Sequence, residues 1–161
     1  MSAAAVTIAD DITAEINDAA RSWAGRFTAE RVWYPTKSLD SSSGFPQLTD
    51  PVLSVIPDSV PTKLRLTRGT IQLEDFVIFL VLQAKVTGTG ADGQILNADV
   101  DPLIADLEAV TDWFFADGHK VGSLLAKCME ASIETYCDRD SLDLSRCYVG
   151  CASLTFKAGR P

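Results

Sequence analysis

The apolar run from Phe76 to Leu82 is the feature that most constrains the fold of this chain. It lies within Leu73–Lys85, LEDFVIFLVLQAK, and every residue of the run is apolar. The run is too short to cross a membrane as a helix, which takes about 20 apolar residues. Because successive side chains of a strand point to opposite faces, this strand would be apolar on both faces. We therefore expect a central strand with helices on one face and a second layer, or another subunit, on the other.

The size and charge of the chain narrow the classes of protein to which it can belong. Its 161 residues suffice for one domain, and the 47% that are hydrophobic exclude a disordered protein. The net charge of −8 argues against a nucleic-acid-binding surface spread over the molecule, which would need Lys and Arg in excess. The N-terminal sequence MSAAAVTIADDI has no basic region and no long apolar core. We therefore expect no signal peptide, no transmembrane segment and a cytoplasmic protein.

Two segments have the periodicity of amphipathic helices. In Thr7–Ala24, apolar residues recur at steps of three and four opposite a row of acids. We expect Thr7 or Asp10 to cap this helix and Gly25 to end it. Its apolar stripe is predicted to contain Ile8, Ile12, Ile16, Ala19, Ala20 and Trp23.

The second predicted helix is Asp99–Phe115. We expect Asp99 or Asp101 to cap it and Pro102 to lie in its first turn, where a missing N–H does no harm. Its apolar stripe is predicted to contain Leu103, Leu107, Val110 and Phe114. Its acidic side is predicted to face water through Asp106, Glu108 and Asp112. Gly118 is expected to end it.

Several further segments alternate apolar and polar residues as strands do. They are Phe27–Tyr34, Pro51–Ile56, Lys63–Ile71, Met129–Tyr136 and Cys147–Lys157. We expect Lys63–Ile71 to pair with the central strand as a hairpin. The fold is therefore predicted to be α+β, a single domain with a mixed, largely antiparallel sheet of about five strands and two main helices on one face.

The remaining segments are predicted to connect these elements. Thr36–Asp50, rich in Ser, Asp, Gly and Pro, is expected to be a flexible loop, with Phe45 as an anchor that becomes ordered on assembly. Val121–Lys127 is expected to form a short helical turn, and Asp138–Ser145 a polar connector.

The sequence shows no set of residues that points to catalysis or metal binding. The cysteines Cys128, Cys137, Cys147 and Cys151 form no CxxC pair, and His119 is not at zinc-finger spacing. We expect the thiols to be small, buried and reduced, and His119 to face solvent beyond a helix end. Neither GxGxxG nor GxxxxGK[ST] occurs. No catalytic, cofactor-binding or metal-binding residue is predicted.

Lys63, Arg65 and Arg68 form a basic cluster in an otherwise acidic chain. The plainer interpretation is the solvated edge of a strand. The sharper hypothesis is a strip that forms salt bridges to an acidic neighbouring copy of the chain. Lys157 and Arg160 near the C-terminus are predicted to behave similarly.

Taken in order, several segments resemble the tail terminator, or tail completion, proteins of tailed bacteriophages and prophages. The opening helix IADDITAEINDA and the short strand VLSVIP are similar to that family. So are KLRLTRG followed by EDFVIFLVLQAK, the helix DVDPLIADLEAVTDWF, and the closing segment SIETYCDRDSLDLSRCYVGCASLTFKAGR. The likeness spans most of the chain and consists of the order of hydrophobic and polar residues. Thr36–Asp50 and the cysteine-rich end depart from the family pattern.

The resemblance implies a structural virion protein, neither an enzyme nor a binder of cofactors. Tail terminators form a ring of about six copies on the head-proximal end of the tail tube. The ring is assembled in the host cytoplasm, stops polymerisation of the tube protein and joins the tube to the head–tail connector or neck protein. DNA passes through the lumen without specific binding, which an acidic chain would favour, and no membrane is involved.

Within such a ring, each copy uses two different surfaces to contact its two neighbours. We expect Arg65, Arg68, Lys157 and Arg160 at the contact between subunits, where the two arginines would face acidic residues. Phe45 and its loop are expected to reach the tube or the connector.

Two other hypotheses stay open. One is another ring protein of the head–tail neck or of the tail tube, and a tube protein would polymerise without stopping. The other is a small cytoplasmic enzyme or ligand-binding α+β domain, which would need a pocket with convergent polar groups.

Overall fold

The computed structural model describes residues 4–33, 48–58, 73–88, 90–116 and 119–159. Beside a short 3₁₀ turn at Ala91–Gly93, these described residues form α1 (Ala4–Ile16), β1 (Thr28–Arg31), β2 (Val52–Pro57), β3 (Leu73–Lys85), α2 (Asn97–Phe115), β4 (Lys127–Thr135), α3 (Arg139–Ser145) and β5 (Cys147–Gly159). The five strands make one sheet in the order β1-β2-β3-β5-β4. Among them β1 and β2 are parallel, and the other three pairs are antiparallel. The predicted α+β class and largely antiparallel sheet are confirmed.

Strand β3 lies at the centre of the sheet, as its apolar run predicts. It pairs with β5 along its whole length and with β2 over its second half, so that Leu80 lies opposite Val55 on one side and Ala152 on the other. Alternate side chains of β3 point into one core, namely Phe76, Ile78, Leu80, Leu82 and Ala84. Burying each of the larger ones stabilises the fold by roughly 1.5–3 kcal/mol.

Helix α1 covers this core on the β1 side of the sheet, through the buried side chains of Ile8, Ala9, Ile12 and Ile16. The helix already includes Ala4, so Thr7 and Asp10 lie inside it and the prediction that either caps it is wrong. It also ends at Ile16, earlier than predicted, because Asp18 turns the chain by accepting a hydrogen bond from the Ala20 N–H at 2.9 Å. The predicted apolar positions Ala19 and Ala20 are therefore exposed.

The segment from residue 17 to residue 27 crosses from α1 to α2. Trp23 is buried, donates its ring N–H to the Ile16 carbonyl at 3.0 Å and meets Trp113 edge to face, with the ring centroids 6.3 Å apart. The Arg21 guanidinium lies 4.1 Å from the centroid of the same Trp113 ring. Trp23 thus keeps its predicted place in the core, although it does not belong to the helix.

Helix α2 covers the core over β3, β4 and β5. It begins one turn before its predicted caps, with Leu96 as the N-cap residue. Asp99 still caps the helix, but from its third position, where its carboxylate accepts the Leu96 N–H at 2.8 Å. Pro102 consequently lies in the second turn, not in the first, and cannot donate to the Ala98 carbonyl.

Two connecting segments differ from their predictions. Val121–Lys127 is not helical, because Val121 and Ala126 form an isolated antiparallel bridge around a turn with Gly122 at φ +61°. The segment Asp138–Ser145 contains helix α3, and Asp138 is its N-cap, accepting the Ser141 N–H at 3.1 Å. Hydrogen bonds from the Ser141 hydroxyl and N–H lower the pKa of Asp138.

Several of the predicted segments fall partly or wholly outside the residues that the structure describes. The predicted strand Lys63–Ile71, residues 36–47 of the predicted loop, Tyr34 and Gly118 lie outside the described residues. Leu48–Asp50, the end of that loop, has no regular secondary structure, and Leu48 is buried.

Asp106 is the clearest departure from the predicted pattern of α2. Asp106 is 3% exposed, and its carboxylate lies 2.8 Å from Nη1 of Arg26. Glu108 and Asp112, in contrast, face water as predicted. Desolvation raises the pKa of Asp106 and outweighs the opposite effect of Arg26. The ionised carboxylate is therefore held at a net cost to the folded state.

We expect Asp106→Asn to remove this cost. A carboxyl whose pKa is raised by folding binds its proton more tightly in the native state, so its contribution to the unfolding free energy falls as pH rises from 3.8 through the raised pKa. The unfolding free energy of the wild type minus that of the variant should therefore decline over that window and then stay constant. Urea denaturation at a series of pH values measures it. A difference that instead grows with pH would show that the ion pair with Arg26 outweighs burial.

Gly150 marks a close approach between β5 and the core. A Cβ at this position would lie 2.3 Å from the hydroxyl oxygen of Tyr148 and 3.0 Å from Cδ2 of Leu107. Tyr148 is completely buried, and its hydroxyl has no hydrogen-bond partner among the described residues. Burial also raises the pKa of this hydroxyl far above its usual value, so it stays protonated.

Gly150→Ala is expected to lower the unfolding free energy by about 1–3 kcal/mol, because the core must shift to admit the methyl group. In a Tyr148→Phe background the loss should be smaller, since the nearest obstructing atom is gone. Urea denaturation of the two single variants and the double variant gives both values. Equal losses in the two backgrounds would mean that the hydroxyl is not the obstacle.

Candidate assembly surface

The side of the sheet that faces away from α1 and α2, here called the outer face, carries an apolar strip at its centre. Val77, Phe79 and Val81 of β3 are half-buried there, in contrast to the fully buried residues between them. Ile56 of β2 lies opposite Phe79 and is also half-buried. The central strand thus has two apolar faces, as predicted. Both long helices pack on the face opposite to the outer face.

Polar pairs border the apolar strip on the β5 side. Lys157 of β5 lies opposite Asp75 of β3, with Nζ 3.8 Å from the carboxylate. Ser153 donates its hydroxyl to the Glu134 carboxylate of β4 at 2.6 Å. Towards the end of β3 the outer face is closed, because Ser54 and Gln83 are buried there. The accessible apolar surface is therefore a strip, not the whole face.

The structure places one of the five predicted contact residues. Lys157 lies on the outer face, where the ion pair with Asp75 already offsets part of its charge within the chain. Arg65, Arg68, Arg160 and Phe45 lie outside the described residues. The predicted grouping of the four basic residues at one contact therefore stays a prediction.

Strand β1 forms one edge of the sheet, and a side chain closes it. The outward backbone groups of Ala29 are both bound by Asn17, whose Oδ1 accepts the Ala29 N–H at 2.8 Å and whose Nδ2 donates to the Ala29 carbonyl at 2.9 Å. The amide thus imitates a neighbouring strand. A second strand could not pair with this part of β1 without displacing Asn17.

Strand β4 forms the other edge, and it is more open. The Cys128 thiol donates to the Glu130 carbonyl of the same strand at 3.2 Å, and no described strand pairs with β4 on the side away from β5. Register shifts at residues 128–130 and 133–135 bulge the strand. Met129 is therefore 48% exposed, although it was predicted to face inward with Ala131, Ile133 and Thr135.

Exposed side chains follow the β4 edge in two groups. The large apolar ones are Leu125 before the strand, Met129 within it and Tyr136 after it. Glu130 and Glu134 form an acidic row on the outer face, with Ser132 between them, since these residues pair with or contact Thr155 and Ser153 of β5. An edge with exposed apolar and acidic side chains suits a contact with a basic partner.

The titratable side chains of the described residues do not assemble a reactive centre. All four cysteines are free thiols; Cys128 and Cys147 are buried as predicted, and Cys137 and Cys151 are half-buried. Burial raises the pKa of each thiol, that of Cys128 to about 11, so all four stay protonated and weakly nucleophilic at neutral pH. No three His, Cys, Asp or Glu side chains in the described ranges converge on a point that could hold a metal ion.

His119 does not face solvent as predicted. Its ring is half-buried against Trp113 and Phe114, with centroids 5.1 Å and 5.9 Å away. Its Nε2 atom is buried, and no described residue hydrogen-bonds to it. The ring belongs to the aromatic packing at the end of α2.

Comparison with known proteins adds no family to these observations: no family model matches the chain, and no curated protein matches it either. The helices within the described ranges lack the length and apolar character that a membrane span requires.

The edge closure by Asn17 predicts a measurable cost of removing its amide. Asn17→Ala should lower the unfolding free energy by about 1–3 kcal/mol, because two backbone groups lose their partner, and should promote aggregation through the opened β1 edge. Asn17→Asp keeps the acceptor for the Ala29 N–H but turns a carboxylate oxygen towards the Ala29 carbonyl, so it should cost at least as much as Asn17→Ala. Urea denaturation and static light scattering measure the two effects. Equal stability of all three proteins would rule out the closure.

Proposed function

We propose that this chain is a structural subunit of a bacteriophage tail terminator. In this role it forms a closed ring on the head-proximal end of the tail tube, stops polymerisation of the tube protein and joins the tube to the head–tail connector. The proposal rests on the resemblance of the sequence to that family. It involves neither catalysis nor a cofactor.

The apolar strip on the outer face is the observation that favours a subunit over an independent domain. Ile56, Val77, Phe79 and Val81 are aliphatic or aromatic, lie next to one another across β2 and β3, and keep part of their surface accessible. Contact with another subunit would remove this apolar surface from water, which favours association. A ring provides such contacts to every copy at once.

The distribution of charge agrees with a ring through which DNA passes. The chain carries 22 acidic and 14 basic residues. Exposed carboxylates occur on α2 at Asp101, Glu108 and Asp112. A lumen lined by carboxylates would repel the phosphates of DNA and so limit binding during its passage.

We expect the purified protein to form a closed ring of about six copies, alone or on the end of purified tail tubes. Light scattering on a sizing column, over a range of protein and salt concentrations, gives the molar mass, and electron microscopy of the tubes shows whether their ends are capped. Phe79→Ser should raise the concentration needed for assembly, since it removes the central side chain of the strip. Leu144→Ser, at the most exposed large apolar residue described, is the matched control.

Two outcomes would contradict the proposal. Growth without limit would indicate a tube protein. Protein that stays monomeric and leaves tube ends uncapped would favour a small independent domain.

A further inference from the structure

The two edges of the sheet differ in whether they can accept another strand. At β1 the Asn17 amide already binds both outward groups of Ala29, at 2.8 and 2.9 Å. At β4 the alternate backbone groups that point away from β5 have no second strand among the described residues, and nine residues of edge are presented. Addition of a strand, a common way for proteins to bind extended segments, is therefore open at β4.

The side chains of β4 restrict which segment could add there. Glu130 and Glu134 lie on the outer face of the edge. Neither forms a salt bridge with a described residue. On the core side Ala131 and Ile133 are half-buried. A matching segment would therefore alternate basic residues, which face the carboxylates, with aliphatic residues, which cover Ala131 and Ile133.

Pairing of β4 with the β4 of a second copy does not meet this requirement. An antiparallel pair of such strands brings the Glu130 and Glu134 carboxylates of both copies to the same face of a joint sheet, where like charges repel. The two bulges in β4 further disturb a regular ladder between identical edges. The β4 edge therefore disfavours pairing with the β4 edge of another copy and favours a basic partner.

One segment of the chain has the required alternation. Residues 63–68 read KLRLTR, with Lys63 and Arg65 at alternate positions and Leu64 and Leu66 between and beside them. This segment lies outside the described residues, so it is chosen as the partner of the β4 edge from its sequence alone. In a net acidic chain, it combines the charge and the aliphatic residues that the edge calls for.

We propose that the β4 edge of one copy binds the segment Lys63–Arg68 of a second copy, a pairing that rests on the proposed ring and specifies its contact. Each copy offers one acidic edge and one basic segment. These are different surfaces, so the contact is heterologous and generates a ring when the rotation between neighbours closes. The pairing also gives Arg65 an acidic partner in the neighbouring subunit.

Complementation between charge-reversed variants tests the pairing. The edge variant is Glu130→Lys/Glu134→Lys, and the segment variant is Lys63→Glu/Arg65→Glu. Each alone should need at least about a tenfold higher concentration to assemble, because two cross-strand pairs become repulsive. An equimolar mixture should assemble like wild type, since every contact in an alternating ring then joins either the two native or the two reversed surfaces. Light scattering measures assembly, with and without tail tubes.

The control Glu108→Lys/Asp112→Lys reverses the same number of charges on the exposed side of α2 and should assemble like wild type. If the edge variant does not fold, as judged by circular dichroism, Glu130→Gln/Glu134→Gln weakens the same contacts without reversing them. Normal assembly of whichever edge variant folds, or a mixture no better than its components, overturns the pairing.

Hydrogen exchange provides a second readout that does not alter the edge. Alternate amides of β4 should exchange quickly in the monomer and become protected on assembly, whereas the amides bonded to β5 should be protected in both states. Closed rings in which the outward β4 amides stay unprotected overturn the pairing and leave the proposed function standing. Protection of these amides in an assembly that grows without limit, or that does not bind tail tubes, supports the pairing and overturns the proposed function. A wild-type chain that stays monomeric alone and on tubes overturns both.

Discussion

The pairing of β3 with β5 over thirteen residues is the interaction on which the rest of the molecule depends. It places two long strands side by side, and their alternate side chains form the middle of the core that α1 and α2 cover. Strand β4 joins the sheet through β5, and β1 joins it through β2. The edges therefore inherit their positions from this central pair. The same pair also forms the outer face, because Val77, Phe79 and Val81 alternate with the core residues of β3 and lie on that face.

The parts of the fold that follow from local pattern could be predicted from the sequence. Leu73–Lys85 has an apolar run that fits few structures other than a central strand, and Cys147–Lys157 alternates cleanly enough to assign its buried face. The position of Asp106 could not be predicted, since an acid at helical spacing between exposed acids looks solvated until Arg26 is brought beside it by the fold. Helix α3 is a different case, because Asp138 is a residue type that commonly caps the start of a helix, as it does here.

The candidate surface was predictable in composition and not in geometry. An apolar second face of the central strand follows from its sequence. Which edge of the sheet is open does not, because it depends on strand order and on the contact between Ala29 of β1 and Asn17, which follows α1. The bulges that turn Met129 outward are equally invisible in the sequence, where strict alternation places it with Ala131 and Ile133. Long-range pairing therefore decides what a neighbouring molecule would meet.

The strand order also has a consequence for folding of the chain during its synthesis on the ribosome. Strand β5 is inserted between β3 and β4, although both of those strands are synthesised before it. Until β5 emerges, β4 has no place in the sheet and one edge of β3 is unpaired along its whole length. Contacts between segments so distant in sequence form slowly, because the intervening chain must first be closed into a loop. The acidic edge thus comes into existence with the last strand of the sheet, so incomplete chains on the same message cannot engage one another through it.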